Sequence, residues 1–282
     1  MPAILYGIAA AVTWGAGDFA GGLAARKLGA YRAVLWGDLI GLAIILPIAL
    51  LSGDPLPSGA AIRNTLIGGL LGSLGLVVLY YSLSIGQMSI AAPVSALFAA
   101  ALPVIVGLFT QGLPTLEQFI GFGFALTAVW LISQGSETER FHLERLADLR
   151  LPILAGLGFG SYFIFLHYAS AGSASIPWTM TFSRFAGTLL LLVMVLARRE
   201  SLTVPRTAWP VVCFNAVFDL GGNLFYILAS QSGGRLDVSA VLSSLFPGST
   251  VLLAWLILKE RLAPRQWLGI LAALTAIIFL TL

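Results

Sequence analysis

The sequence predicts an all-α integral membrane protein of ten transmembrane helices, arranged as two inverted five-helix repeats. Three observations carry this expectation. Of the 282 residues, 59% are hydrophobic and 10% charged, with a mean hydropathy of +0.96, whereas a soluble domain carries about 25% charged residues. Apolar runs close to the roughly 20 residues that span a bilayer recur along the whole chain. Spaced motifs recur about half a chain apart. The composition excludes a soluble enzyme, a secreted domain and a disordered chain, because this much apolar surface has to be buried or dissolved in lipid.

The first span is expected at 2–25. Its start, Met1-Pro2-Ala3-Ile4, has no basic region, and the apolar run is too long for the core of a cleaved leader. The next spans are expected at 33–51, 64–85, 90–110 and 118–134, separated by short polar or glycine-rich stretches such as Gly86-Gln87-Met88-Ser89 and Gly112-Leu113-Pro114-Thr115. The one long polar segment, 136–150, is charged and suits a linker between halves at 1–135 and 151–282. The second half offers spans at 151–169, 176–197, 208–230, 236–258 and 265–282. Cys213, the single cysteine, has no intrachain partner and reads as a small packing residue.

Charge sets the expected orientation. Twelve of the fifteen Lys and Arg residues fall in four connections: Arg26, Lys27 and Arg32; Arg140, Arg145 and Arg150; Arg198, Arg199 and Arg206; Lys259, Arg261 and Arg265. Only Arg63 and Arg235 belong to the other side, and Arg184 lies within a span. The positive-inside rule then places these four connections in the cytoplasm and both termini outside. The basic residues sit in short loops rather than in one patch, so the net charge of +3 argues for no nucleic-acid partner.

The repeat is read from spacing. Val94-Ser95-Ala96 followed by Pro103 matches Val238-Ser239-Ala240 followed by Pro247. Ala125-Leu126-Thr127-Ala128 matches Ala273-Leu274-Thr275-Ala276, with Gly121 and Gly269 at the same offset. Gly7 pairs with Gly156, and Gly41 with Gly187. An odd number of spans per half forces the second half to cross in the opposite sense, the architecture of many secondary transporters with a site near the midplane. Pro103 and Pro247 are candidate bend points.

These features, with Trp14-Gly15 in the first span and Lys259-Glu260-Arg261-Leu262 ahead of Gln266-Trp267-Leu268-Gly269, resemble the drug/metabolite transporter superfamily, EamA type, over essentially the whole chain. The resemblance implies a multi-pass carrier of a bacterial inner (plasma) membrane, often an exporter of amino acids or other small metabolites, with a central cavity between the halves. Relatives commonly carry an arginine in the second helix of each half. Here Asp38 stands in the first half and Arg184 in the second.

Ionisable groups inside spans are costly and face cavities or partners. Asp38 and Arg184 hold similar repeat positions that can approach each other, and are read as a gate, as a clamp for a substrate carboxylate, as a structural pair, or as charges snorkelling to an interface. Asp18 and His167, also near-equivalent, are the proton-coupling candidates. Asn215, Asp219 and Asn223 follow at helical spacing and form a polar stripe, read as cavity lining or as a seam to a neighbouring helix. Trp14, Tyr80, Tyr81 and Trp178 complete the expected substrate-binding set. No enzyme signature, metal cluster or cofactor motif is found: His142, His167 and Cys213 are too few, and Gly15-Ala16-Gly17 lacks the strand–helix context of a phosphate loop.

The expected function is secondary transport of small organic metabolites, amino acids first, by alternating access. The direction expected is export, with protons as the candidate coupling ion and a monomer or weak dimer in the bilayer. Sugar or nucleotide-sugar carriage is the alternative on the same fold. An integral-membrane enzyme or scaffold is the alternative of another class, for which the chain has little loop to build a catalytic face.

Overall fold

The structure is a computed structural model that describes residues 2–84, 88–132, 149–170, 175–258 and 262–281. The regular structure among the described residues is helical, without strands: α1 (Pro2–Leu28), α2 (Ala30–Leu51), α3 (Gly59–Ser84), α4 (Met88–Thr110), α5 (Leu116–Ile132), α6 (Arg150–Ala169), α7 (Ile176–Ala197), α8 (Trp209–Gln231), α9 (Leu236–Ser243), α10 (Phe246–Leu258) and α11 (Pro264–Thr281). Seven of these, α1–α3, α6–α8 and α11, are long and apolar enough to cross a bilayer, and α4 and α5 contribute shorter apolar stretches. The polar linker expected at 136–150 lies, apart from residues 149 and 150, outside the described residues, as do residues 259–261.

Local chemistry explains several boundaries. Only Gly29 separates α1 from α2, at φ 84°, a backbone region that glycine enters at little cost. Thr115 and Gln118 form a reciprocal capping box at the start of α5, each side chain accepting from the other's backbone N–H (3.1 and 3.2 Å). Ser175 caps α7 by accepting from Trp178 N, with proline in the first turn.

One expected span is interrupted. Instead of a single helix over 236–258, the chain breaks at Ser244 and Leu245 into α9 and α10. Pro247 has no N–H to offer the carbonyl four residues back, so the ladder cannot pass through. Tighter three-residue bonds, Leu245 N to Leu242 O and Gly248 N to Leu245 O, bridge the gap. Pro103, its counterpart, sits inside an unbroken α4, so the matched prolines do not interrupt the two helices alike.

Packing pairs the helices across the halves. α1 lies along α8 and α3 along α6; α4 packs on α6, and α9 and α10 on α1; α2 meets α7, and α5 meets α11. Exchanging α1–α5 for α6–α11 maps this list onto itself. The α3 glycines admit α6 and α7: Gly72 is against Tyr162, Gly75 against Ala155 and Phe159, and Gly69 against the Ser183 backbone.

Helix ends gather on two faces. On one, Lys27 donates to Thr207 O, Arg32 to Ser201 O and Trp36 to Leu202 O. On the other, Ser175 donates to Asp54 and Arg235 to the carbonyls of Gln111 and Gly112. Two apolar clusters lie between. One contains Trp14, Phe163, Leu220 and Tyr226, the other Ala24, Leu35, Val77 and Val212. Along α1 and α8, the polar residues Asp18, Asn215 and Asp219 fall between these clusters. Cys213 is exposed on α8 rather than packed, which corrects its sequence reading.

Candidate functional site

A single arginine organises the polar layer. Arg184 of α7 and Asp38 of α2 are each the ninth residue of a 22-residue helix, and both are buried, at 6% and 2% exposure. One terminal guanidinium nitrogen of Arg184 donates to Asp38 Oδ1 at 2.5 Å, and the other donates to Asp219 Oδ2 of α8. Ser73 of α3 donates to the second Asp38 oxygen at 2.7 Å. Four helices from both halves thus converge on one charged group. Paired, hydrogen-bonded charges are the form in which ions are tolerated in a dry interior.

A cavity opens beside this bridge. It offers about 50 Å³ of water-accessible space, and Asp18, Asp38, Arg184 and Asp219 line it together with Asn223 and Ser73. At about 10–15 Å³ per water, that is room for a few water molecules. Its apolar wall is aromatic: Trp14 stacks on Phe163 with centroids 5.3 Å apart, and Phe163 on Tyr226 at 4.9 Å. Tyr162 closes another side and donates to Asn223 Oδ1 at 2.8 Å.

Behind the lining lies a second set of contacts. Asn215 donates to Gly17 O at 2.9 Å and to the Tyr80 hydroxyl at 3.1 Å, and that hydroxyl donates to Asp18 at 3.4 Å. Tyr80 and Asn215, expected in contact with substrate, therefore hold Asp18 from outside the cavity.

Three other candidates lie away from the cavity. Tyr81 is 47% exposed and off the cavity, because neighbours on a helix point about 100° apart and Tyr80 takes the inward direction. Trp178 sits in the first turn of α7, and its indole donates to Asp54 O at 3.3 Å on the loop-bearing face. His167 does not join Asp18. It contacts Gln111 and Ser230, each at 3.2 Å. Ser230 and Asn215 are fifteen residues apart on α8, about 22 Å at 1.5 Å per residue.

Ser73, Tyr162, Phe159 and Phe246 line the cavity without having been singled out from the sequence. Tyr162 carried a usable signal, since it is next to Phe163 in an otherwise apolar span. A lone serine among glycines gave none. Among the described residues, no group of three His, Cys, Asp or Glu side chains is placed to hold a metal ion.

Long apolar helices, an outward apolar surface and a charged cluster between the halves define a multi-pass membrane protein with an internal polar site. The chain belongs to the EamA-like transporter family, whose model matches residues 1–134 and again 149–282, and so to the drug/metabolite transporter superfamily. No curated protein matches the sequence. A solved crystal structure superposes with a TM-score of 0.81 at 16% identity, covering 99% of this chain and 98% of its own, which is a likeness of fold.

Proposed function

We propose that the chain is a secondary transporter that carries small organic metabolites across the membrane by alternating access. In this reading ten spans form two inverted five-helix halves, 1–135 and 151–282, joined by the 136–150 linker. The exchange symmetry of the helix pairing supports it, as does the basic bias of four connections. The observation that carries the reading is Arg184 bridging Asp38 of one half and Asp219 of the other beside a cavity lined from both. Any rocking of the halves that admits a solute has to lengthen the Asp38–Arg184 contact. The bridge is thus a latch that solute and water compete to open.

Asp18 is the proton site in this proposal. It is a cavity carboxylate beside Asp219 with a phenol as its hydrogen-bond partner and, among the described residues, no basic group within ion-pair distance. His167, far along the bundle, serves the packing of α4, α6 and α8. The direction proposed is export from the cytoplasm, with both termini outside a bacterial inner membrane; small metabolites that carry an amino group are the first solutes to try. Counterflow of radiolabelled solutes in proteoliposomes tests the reading. Flux above empty vesicles, lowered by Asp219→Ala and by Arg184→Ala in folded protein, is expected. Wild-type flux in both variants would remove the latch from the mechanism.

A further inference from the structure

We infer that the cavity selects small organic cations, amines with an apolar or aromatic body, over carboxylates and zwitterions. The inference rests on the carrier reading and concerns its substrate class.

The charge census is one-sided. Three carboxylates, Asp18, Asp38 and Asp219, share the lining with one guanidinium. Both terminal nitrogens of Arg184 are already engaged by Asp38 and Asp219. Two of its five N–H donors are therefore committed inside the protein, to carboxylates that already neutralise its charge. With Asp18 protonated, Asp38 and Asp219 still outnumber Arg184, and with all three ionised the excess is two negative charges. No state in which both arms of the bridge are ion pairs is neutral or positive. An entering carboxylate would meet like charge in a low-dielectric site, where such repulsion is least screened.

A cation meets the reverse. Asp18 has a hydroxyl partner at 3.4 Å and no counter-ion among the described residues. The same cavity presents the rings of Trp14, Phe163, Phe159 and Tyr162, and aromatic faces attract ammonium groups through their quadrupole. Carboxylate and aromatic wall together supply a charge partner and an apolar seat. The modest space restricts the solute to a small body.

Three probes sharing one ring separate the charge classes: benzyltrimethylammonium (a permanent cation), phenylglycine (a zwitterion) and phenylacetate (an anion). Binding to purified protein is measured by equilibrium dialysis and flux by counterflow in proteoliposomes. The cation should bind and exchange about tenfold better than either competitor, a difference of about 1.4 kcal/mol. Asp18→Asn, which leaves the Arg184 bridge intact, should weaken cation binding about tenfold while melting stays near wild type. Asp38→Asn, which frees one guanidinium nitrogen, should strengthen phenylacetate binding. Preferred binding and flux of phenylacetate or phenylglycine would overturn the cation inference and leave the carrier reading standing. Absence of cation binding would also overturn it, and counterflow with a mixed metabolite extract then decides the carrier reading separately.

Discussion

The Asp38 carboxylate meets the Arg184 guanidinium across the α2–α7 contact, and each residue stands three positions before a glycine that leaves room for the other's side chain. A Cβ on Gly41 would lie 3.3 Å from Arg184 Nε, whereas one on Gly187 would collide with Ser73 Oγ and the Asp38 carboxylate. The ion pair and the two glycines form one reciprocal unit at matched depths of the two helices.

That unit should couple energetically. Removing one partner of a buried pair typically costs about 3–5 kcal/mol, because the other charge is left uncompensated. Arg184→Gln and Asp38→Asn are each expected to destabilise strongly in chemical denaturation, and the double variant by clearly less than their sum. Additivity within about 0.5 kcal/mol, as for independent sites, would show that the pair carries no mutual stabilisation.

The two glycines should differ in tolerance. Gly187→Ala forces the Ser73–Asp38 hydrogen bond apart and should lower both melting temperature and flux. Gly41→Ala asks only a few tenths of an ångström from a flexible arginine and should cost under about 1 kcal/mol, in the range of tolerated small core changes. Equal melting temperatures for the two variants would contradict the packing described.

Coupling can be tested apart from stability. With Asp18 as the proton site, an imposed pH gradient should drive solute movement in the wild type and fail to drive it in Asp18→Asn, while exchange without a gradient persists once the solute is raised to offset the weaker binding. His167→Gln should retain the gradient response, since Ser230, which His167 contacts, lies about 16 Å along α8 from Asp219, the neighbour of Asp18. A gradient-driven Asp18→Asn protein would assign coupling elsewhere.

The aromatic residues should sort by position. Trp14→Ala removes the wall that stacks on Phe163 and leans on Tyr226 and should weaken solute binding by about tenfold, about 1.4 kcal/mol. Tyr81→Ala and Trp178→Phe, off the cavity, should leave solute affinity within about twofold of wild type, surface changes being worth about 0.5 kcal/mol or less. Dialysis with a bound solute reads all three.

Orientation has a simple readout. A reporter active only in the cytoplasm should be silent when fused after Leu282 and bright when inserted in the basic 198–208 connection. The opposite pattern would reverse the proposed sidedness.

Much of the scaffold was legible because the bilayer imposes a length and a composition on every span. The start of α7 at Ile176 and the end of α2 at Leu51 were read to the residue, where Ser175, Pro177 and Ser52 mark the boundaries. The break between α9 and α10 was not, since Pro247 and Pro103 look alike in sequence and differ only in what their helices do. In the site, spacing placed Asn215, Asp219 and Asn223 on one stripe, and all three point inward. Their partners, Tyr80, Arg184 and Tyr162, come from three different helices.

By itself the sequence determined an all-helical membrane chain, its family, and the few charged residues whose burial demands partners. Tertiary structure alone decided which partners those are. It spent both arms of Arg184 on Asp38 and Asp219, set Tyr80 behind Asp18, turned Tyr81 outward, and carried His167 to a distant contact with Gln111. Periodicity assigns a residue to a face of its own helix, but which helix that face meets is settled by packing over distances the local sequence does not encode.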